Sequence, residues 1–215
     1  MAFFRFRREL RNMKIYLHEN DLPTKITFSG AIAVDTETTG LNLNRDRLCM
    51  IQLSDGDGSA HLIHFPNKNY AAPNVKSLLS NPEILKIFHF ARFDVAMLFQ
   101  HLQVWSEPIY CTKIASKIAR TYTDRHGLKD LCKELLDKDL SKTLQSSYWG
   151  APLLSAEQQK YAASDVLYLH ELREKLNVIL ERESRQSLAF ESFSFLKARV
   201  QLDLAGWADE DIFAH

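Results

Sequence analysis

Ala31-Ile-Ala-Val-Asp35-Thr-Glu37-Thr-Thr-Gly40-Leu41 is the stretch of sequence that decides the fold. Its first four residues are apolar and are followed by polar residues and a glycine, which predicts a short strand, over 31–35, buried on both faces. Side chains two residues apart in a strand point to the same face, so Asp35 and Glu37 should project together from its carboxyl end. In open α/β sheets, ligands bind at that end.

Two carboxylates placed so close together repel each other. At about 4 Å and an effective dielectric constant near 20, the repulsion costs roughly 4 kcal/mol. A divalent cation between Asp35 and Glu37 is the simplest remedy. The alternative is a solvated loop just beyond the strand, because a lone Asp-x-Glu is a common pattern.

The composition indicates a globular protein with one core. The chain has 215 residues, 46% of them hydrophobic, and a formal net charge of zero, which argues against a broad basic face for long nucleic acids. Three cysteines without CxxC spacing make a disulfide scaffold or a zinc site improbable and favour the cytoplasm. We therefore expect one domain over 13–215, preceded by a disordered or non-native extension, 1–12, with Met13 as the native start.

The remaining pattern alternates between strands and helices. An Asp-Gly-Asp-Gly turn over 55–58 predicts a hairpin between two of the strands. The order of elements predicts an α/β fold, a mixed sheet with helices on both faces. Predicted strands are 14–18, 25–28, 31–35, 48–54, 59–64 and 84–88, and predicted helices are 73–79, 91–100, 112–120, 128–136 and 156–182.

A third acid follows the strand 84–88 in His89-Phe-Ala-Arg-Phe-Asp94. Helical spacing places Asp94 on the same stripe as four largely apolar positions, Phe90, Met97, Leu98 and His101, so a buried Asp94 would need a partner. The alternative is a half-exposed Asp stabilised by the dipole of the helix.

A fourth acid lies on the helix that begins at Ser155-Ala-Glu-Gln158, a capping box. Tyr161 and Asp165 are four residues apart and share the apolar face of this helix. A core tyrosine bonded to a stray aspartate is the alternative. Together, however, four inward carboxylates favour hard ions, Mg²⁺ or Mn²⁺, and two such ions about 4 Å apart are the arrangement used for phosphodiester cleavage.

The motifs Asp35-Thr-Glu37, His89-x4-Asp94 and Tyr161-x3-Asp165 resemble the exonuclease motifs of the DEDD superfamily of 3′→5′ exonucleases. The tyrosine resembles the DEDDy branch, which includes ribonuclease D. Cys111–Ser116, Tyr122–Leu131 and Leu204–Phe213 are most similar to nanoRNase C, a bacterial family that clears dinucleotides left by RNA decay. The resemblance implies a ribonuclease H-like (DnaQ-like exonuclease) fold and a homo-oligomer, possibly an octamer.

The resemblance also implies roles for individual residues. The four acids would hold two metal ions, Tyr161 would position the attacking water, and the product would be a nucleoside 5′-monophosphate. Leu41 would be a wedge between the terminal bases and His89 would lie near the scissile phosphate, the alternatives being a buried turn leucine and a structural histidine. Thr38 is a further candidate for a substrate contact.

The polar stretch Thr121–Lys129 is our candidate for holding the 5′ end of a short substrate. Arg125 or His126 would contact a terminal 5′-phosphate there. The alternative is a solvated loop between two helices. Three functions stay open: a dinucleotide-preferring exoribonuclease, a broader 3′–5′ exonuclease of RNA or DNA, and a non-catalytic nucleotide-binding module.

Overall fold

A mixed six-stranded sheet runs through the described residues, 13–140 and 147–215, of the computed structural model. The strand order is β1-β4-β3-β2-β5-β6; β3 is antiparallel to β2 and β4, and the other neighbours are parallel. The strands are β1 Lys14–Glu19, β2 Ala31–Thr38, β3 Leu48–Ser54, β4 Ser59–His64, β5 Leu85–Phe88 and β6 Ile109–Cys111. The predicted extension, 1–12, lies outside the described residues.

Helices surround this sheet. They are α1 Pro73–Ser80, α2 Ala91–Leu102, α3 Thr112–Ala119, α4 Leu128–Leu136, α5 Ala156–Leu167, α6 Leu169–Arg182, α7 Gln186–Ser194 and α8 Leu196–Leu202, followed by a π-helical turn, Asp203–Trp207. Within the described ranges, none of them has the length and apolar character needed to cross a membrane.

Strand β2 lies inside the sheet and carries the first two acids. It extends three residues beyond the predicted end, because Thr36 pairs with Ile51 and Glu37 with Met50 of β3 before a register shift between Glu37 and Thr38. Asp35 and Glu37 therefore lie near the end of β2, where the strand is still paired with β3, and not in a free loop. Backbone pairing fixes both carboxylates relative to the core.

Helices α2 and α5 approach β2 from opposite faces of the sheet. The Thr36 hydroxyl contacts Asp94 of α2, whereas one oxygen of Asp165, on α5, lies within 4.8 Å of oxygens of Asp35 and Glu37. Adjacent residues of a strand point to opposite faces, so the two contacts come from the two sides. This agrees with the predicted mixed sheet flanked by helices.

Two predicted elements were wrong. Residues 25–28 form no strand, because the Ile26 amide donates to the Pro23 carbonyl (2.9 Å) and closes a turn, while β1 fills the edge position beside β4. The predicted helix 156–182 is interrupted at Tyr168, where ψ is −1°. The break lets α5 lie across β1–β4 while α6 packs against α3, α4 and β5.

Candidate active site

Three carboxylates from distant parts of the chain meet at the carboxyl end of β2. One oxygen each of Asp35, Glu37 and Asp165 lies within 4.8 Å of the other two. The strand supplies the first two by its alternation, and α5 supplies the third from the face that turns toward the sheet. The predicted convergence of acids separated by 130 residues is present in the structure.

Asp94 joins this cluster from the other side of the sheet. Its side chain is 4% exposed, and its Oδ1 accepts a hydrogen bond of 2.6 Å from the Thr36 hydroxyl. The prediction that Asp94 turns inward is confirmed. Phe90 does not belong to the same stripe: it is 46% exposed, because it precedes the helix with a left-handed φ of 70°.

Burial and mutual repulsion dominate the electrostatics of the four acids. Burial raises the pKa of Asp35 to about 7, and burial together with the charges of the other acids raises the pKa of Glu37 to about 10. Burial, and after it the charge of Asp35, holds the pKa values of Asp94 and Asp165 well above their usual range. A cluster of this kind holds protons or binds a cation.

Tyr161 lies beside Asp165, as predicted. Burial and then the charges of Asp165, Glu37 and Asp35 raise the pKa of the Tyr161 phenol far above its usual range, so the hydroxyl keeps its proton. The ring centroid of Trp149 is 5.9 Å from that of Tyr161. Trp149 is 2% exposed and covers one side of the phenol.

Two side chains, those of Arg47 and Gln158, bind the segment around Trp149. Arg47 donates to the Gly150 carbonyl (3.1 Å), and the Gln158 amide donates to the Ser147 hydroxyl (2.7 Å). Gln158 also completes the predicted capping box with Ser155. Gln158 therefore connects the start of α5 to the segment that carries Trp149.

The substrate-contact candidates near the acids differ in exposure. Leu41 is 82% exposed, so the alternative of a buried turn leucine is wrong. The Thr38 hydroxyl donates to the Gly40 carbonyl (2.6 Å) and stabilises the turn that presents Leu41. His89 Nδ1 lies 2.9 Å from the Thr112 hydroxyl at the start of α3.

Arg125 and His126 lie at the other end of α3, about 12 Å of helix from Thr112. His126 Nδ1 is 2.9 Å from the Ser116 hydroxyl, and the Arg125 side chain is exposed. The fully buried Arg120 holds this loop by donating to Ser116 and to the Arg125 carbonyl, both at 2.9 Å. The structure thus places the two candidates on an anchored loop; their contact with substrate stays a prediction.

The donor set fits a hard divalent cation. It consists of carboxylate oxygens without sulfur or imidazole among the clustered atoms, which is the chemistry that Mg²⁺ and Mn²⁺ prefer. The raised pKa values show that the bare anions are unfavourable here, and a bound cation would remove that cost.

Comparison with known proteins agrees with this geometry. The profile of a family described as 3′-5′ exonuclease matches residues 10–181. The chain belongs to this 3′–5′ exonuclease family. Ribonuclease D of Granulibacter bethesdensis is 29% identical over 165 residues, 77% of this chain and 41% of its own length. This exonuclease thus spans about two fifths of that relative.

Solved structures cover the exonuclease more completely. Brucella melitensis NrnC bound to pGG is 53% identical, with a TM-score of 0.91 over 95% of this chain and 100% of that chain. The same protein with bound Mg²⁺ is 52% identical, with a TM-score of 0.90 over 94% and 100%. Escherichia coli RNase D is 26% identical, with a TM-score of 0.71 over 84% and 48%. The fold is accordingly of the ribonuclease H-like type.

Sequence reasoning did not identify several residues that support the site. Thr36, Thr112 and Trp149 contact the proposed functional residues, and none of the three was assigned a role from the sequence. Thr36 is enclosed by the two acids in the sequence and points to the other face. The register of the sheet and the path of the 147–151 segment were needed to find them.

Proposed function

We propose that the chain is a metal-dependent 3′–5′ exoribonuclease that hydrolyses very short RNAs, above all dinucleotides, to nucleoside 5′-monophosphates at the end of RNA decay. The observation that carries this proposal is the convergence of Asp35, Glu37 and Asp165 beside Asp94 and Tyr161. Burial and mutual repulsion make this arrangement of carboxylates unfavourable without a cation. Together with a protonated phenol, it suits metal-assisted hydrolysis better than simple nucleotide binding.

The positions of the acids support a division of roles between them. Asp35, Glu37 and Asp165 would hold one ion, and Asp35 and Asp94 would serve a second, Mg²⁺ or Mn²⁺. Bound ions would supply Lewis acidity, lowering the pKa of a water and neutralising charge on the phosphate. Thr36 keeps one oxygen of Asp94 occupied and so orients the other.

Tyr161 is the residue proposed to orient the attacking water. Its raised pKa excludes it as a general base near neutral pH, but its hydroxyl can donate one hydrogen bond and accept another. Trp149 restricts the movement of the ring. These contacts support a positioning role for Tyr161 rather than proton abstraction.

The preference for short RNA is supported by likeness to a protein whose structure was solved with a short ligand. Brucella NrnC, which is 53% identical over nearly the whole chain, was solved with pGG. In this chain Leu41 projects into solvent next to the acids, where it could separate two terminal bases. At the far end of α3, Arg125 and His126 could hold a 5′-phosphate.

A broader 3′–5′ exonuclease acting on RNA or DNA ends is the second candidate. The match to ribonuclease D favours it, because that relative shares the catalytic region. A non-catalytic nucleotide-binding module is disfavoured, because all four acids and Tyr161 are present.

A chain-length series distinguishes these functions. Purified protein with Mg²⁺ or Mn²⁺ is incubated with 5′-phosphorylated RNA and DNA of two to about seven nucleotides, and cleavage rates are compared. A sharp loss of rate beyond two nucleotides supports the proposal, even rates support the broader nuclease, and no cleavage supports the binding module. Replacing both Arg125 and His126 with Ala should weaken binding of 5′-phosphorylated dinucleotide; unchanged affinity contradicts their assignment.

The assembly state is also proposed by likeness. A homo-oligomer, as large as an octamer, would cover the exposed apolar side chains of the carboxyl-terminal segment, such as Trp207 and Phe213. Sedimentation velocity at micromolar concentration tests this, and a monomer would contradict it. The cytoplasmic location remains a prediction.

A further inference from the structure

His89 directly follows β5, which runs parallel to β2, so it lies at the same end of the sheet as the acid cluster. Strands β2 and β5 are parallel, and Ala33 pairs with Ile87. β5 ends at Phe88, so His89 leaves the sheet at the carboxyl end of the strand next to the one that carries Asp35. Its ring contacts Thr112, the first residue after β6, so the imidazole borders this end of the sheet on the side of β6.

Hydrogen bonds fix the tautomer of this histidine. The Thr112 hydroxyl lies 3.1 Å from the Phe88 carbonyl, which can only accept, so the single hydroxyl proton of Thr112 is donated there. Thr112 Oγ1 is also 2.9 Å from His89 Nδ1 and must accept in that contact. The one arrangement that satisfies both contacts puts the imidazole proton on Nδ1.

Nε2 of His89 is therefore a hydrogen-bond acceptor. Among the residues that the structure describes, it has no hydrogen-bond partner, and it is not among the side-chain atoms sealed from solvent. Burial and the charge of Lys113 lower the pKa of His89 to about 3, so the ring stays neutral at physiological pH. Its lone pair remains available.

An acceptor at this place limits what it can bind. Phosphate oxygens of an RNA near neutral pH accept hydrogen bonds and do not donate them, so a neutral Nε2 cannot bond to the scissile phosphate directly. Hard divalent ions prefer oxygen ligands to imidazole. Hydroxyls of the ribose are the donors that every RNA nucleotide offers regardless of its base.

We propose that His89 Nε2 accepts a hydrogen bond from a ribose hydroxyl of the 3′-terminal nucleotide. This inference rests on the proposed exoribonuclease function and adds to it a residue that recognises the ribose of the substrate. If the contacted group is the 2′-hydroxyl, His89 discriminates RNA from DNA. If it is the 3′-hydroxyl, His89 recognises the free end of the chain.

The test compares the wild type with His89→Asn on three 5′-phosphorylated dinucleotides. One has both terminal hydroxyls, one is 2′-deoxy at the terminal nucleotide, and one is 3′-deoxy there. The Asn amide can still donate to Thr112 but carries no atom at the Nε2 position. The control is His18→Asn, which changes a partly buried histidine of the edge strand β1, and it should behave like the wild type on all three dinucleotides.

We expect the wild type to lose about ten- to a hundredfold in kcat/KM when the contacted hydroxyl is removed. On the complete dinucleotide, the kcat/KM of His89→Asn should be lower than that of the wild type by a similar factor. On the analogue that lacks the contacted hydroxyl, the kcat/KM of His89→Asn should be no lower than its own value on the complete dinucleotide. The analogue that behaves this way identifies the hydroxyl. If His89→Asn, with an unchanged melting temperature, remains as sensitive as the wild type to both analogues, the inference is wrong.

The same comparison separates this inference from the proposed function. If the wild type cleaves longer RNA but not dinucleotides, heptamers that end in each of the three terminal nucleotides replace the dinucleotides. The wild type and His89→Asn are then compared again. If nothing is cleaved, equilibrium binding of the three dinucleotides with Ca²⁺ in place of Mg²⁺ decides. If only His89→Asn no longer distinguishes the complete dinucleotide from one of the deoxy analogues, the inference is supported, even when the proposed catalytic function is wrong.

Discussion

The charge of Asp35 raises the pKa values of the other three acids, Glu37, Asp94 and Asp165. We predict that Asp35→Asn abolishes turnover by removing a metal ligand while retaining the volume of the side chain. Without metal, the variant should be at least as stable as the wild type, since one repelling charge is gone. Relief of about 1 kcal/mol would raise the melting temperature by roughly 2–4 °C.

The matched control for this prediction is Asp55→Asn. Asp55 also follows a strand, but it is exposed and lies in the β3–β4 hairpin at the opposite end of the sheet. It should change neither turnover nor melting temperature. A metal-free Asp35→Asn protein that melts well below the wild type would contradict the repulsion argument.

The raised pKa values of the acids predict how metal-free stability depends on pH. Asp35 and Glu37 have pKa values of about 7 and about 10 in the folded state, against about 4 when unfolded. Between these values the folded state holds protons that the unfolded state releases. Stability without metal should therefore fall as pH rises from 5.5 to 8.5, by up to about 1.4 kcal/mol per pH unit for each retained proton.

Thermal denaturation in EDTA across this pH range measures the effect. Glu37→Gln cannot acquire the charge, so its curve should be flatter than that of the wild type. Added Mg²⁺ should flatten the wild-type curve too, because a cation stabilises the charged carboxylates. Parallel curves for wild type and Glu37→Gln would assign the pH dependence to other groups.

At the scale of single residues, the sequence predicted which acids share a face but not which residues contact the functional side chains. The spacing of Asp35 and Glu37, and of Tyr161 and Asp165, follows from the periods of strand and helix, so their shared faces were predictable. Thr112 could not be linked to His89, since the three-residue strand β6 that aligns them was not predicted. Short strands carry too little periodicity to be recognised.

The second residue of strand β5 is a fully buried lysine that donates hydrogen bonds to backbone carbonyls. Lys86 Nζ donates to the carbonyls of Asn81 and Ile84 at 2.7 Å, and to that of Glu107. Burial lowers the pKa of this ammonium to about 8. The side chain joins the segment before β5 to the segment before β6.

We predict that Lys86→Met destabilises the fold by about 2–4 kcal/mol, because it leaves three carbonyls without their donor while filling a similar volume. Urea unfolding followed by circular dichroism measures this, and Lys175→Met, on the exposed side of α6, is the control. Equal midpoints for the two variants would show that water replaces the ammonium without cost.

At the element scale, capping and pairing signals gave accurate boundaries. The structure has β3, β4 and α4 at the predicted residues, and α5 begins after the Ser155 capping box. The break at Tyr168 has no proline or glycine to announce it, and the apolar stripe continues through it. The break arises from packing across the sheet, which a local pattern cannot contain.

The carboxyl-terminal segment is fastened to α2 by one buried acid. Asp203 is 5% exposed and accepts hydrogen bonds from Arg92 (2.6 and 2.8 Å) and Arg199 (2.7 and 2.9 Å). The two arginines in turn donate to carbonyls of the following segment, at Ala208 and Glu210. Asp203 thus neutralises both arginines that hold the tail.

We predict that Asp203→Asn loosens residues 203–215 and lowers global stability by about 1–3 kcal/mol, discounted because Arg92 is partly exposed. Hydrogen exchange should become faster in this segment but not in β2. Asp209→Asn, which is exposed, is the control. If exchange in 203–215 is unchanged, apolar packing of the tail outweighs the ion pairs.

The order of the acids along the chain has a consequence for synthesis. Asp35, Glu37 and Asp94 are translated early, whereas Asp165 arrives only with α5. A partly made polypeptide on the ribosome would therefore lack one of the three clustered carboxylates and the phenol beside it. We expect it to leave short RNAs near the ribosome uncleaved until this helix has emerged.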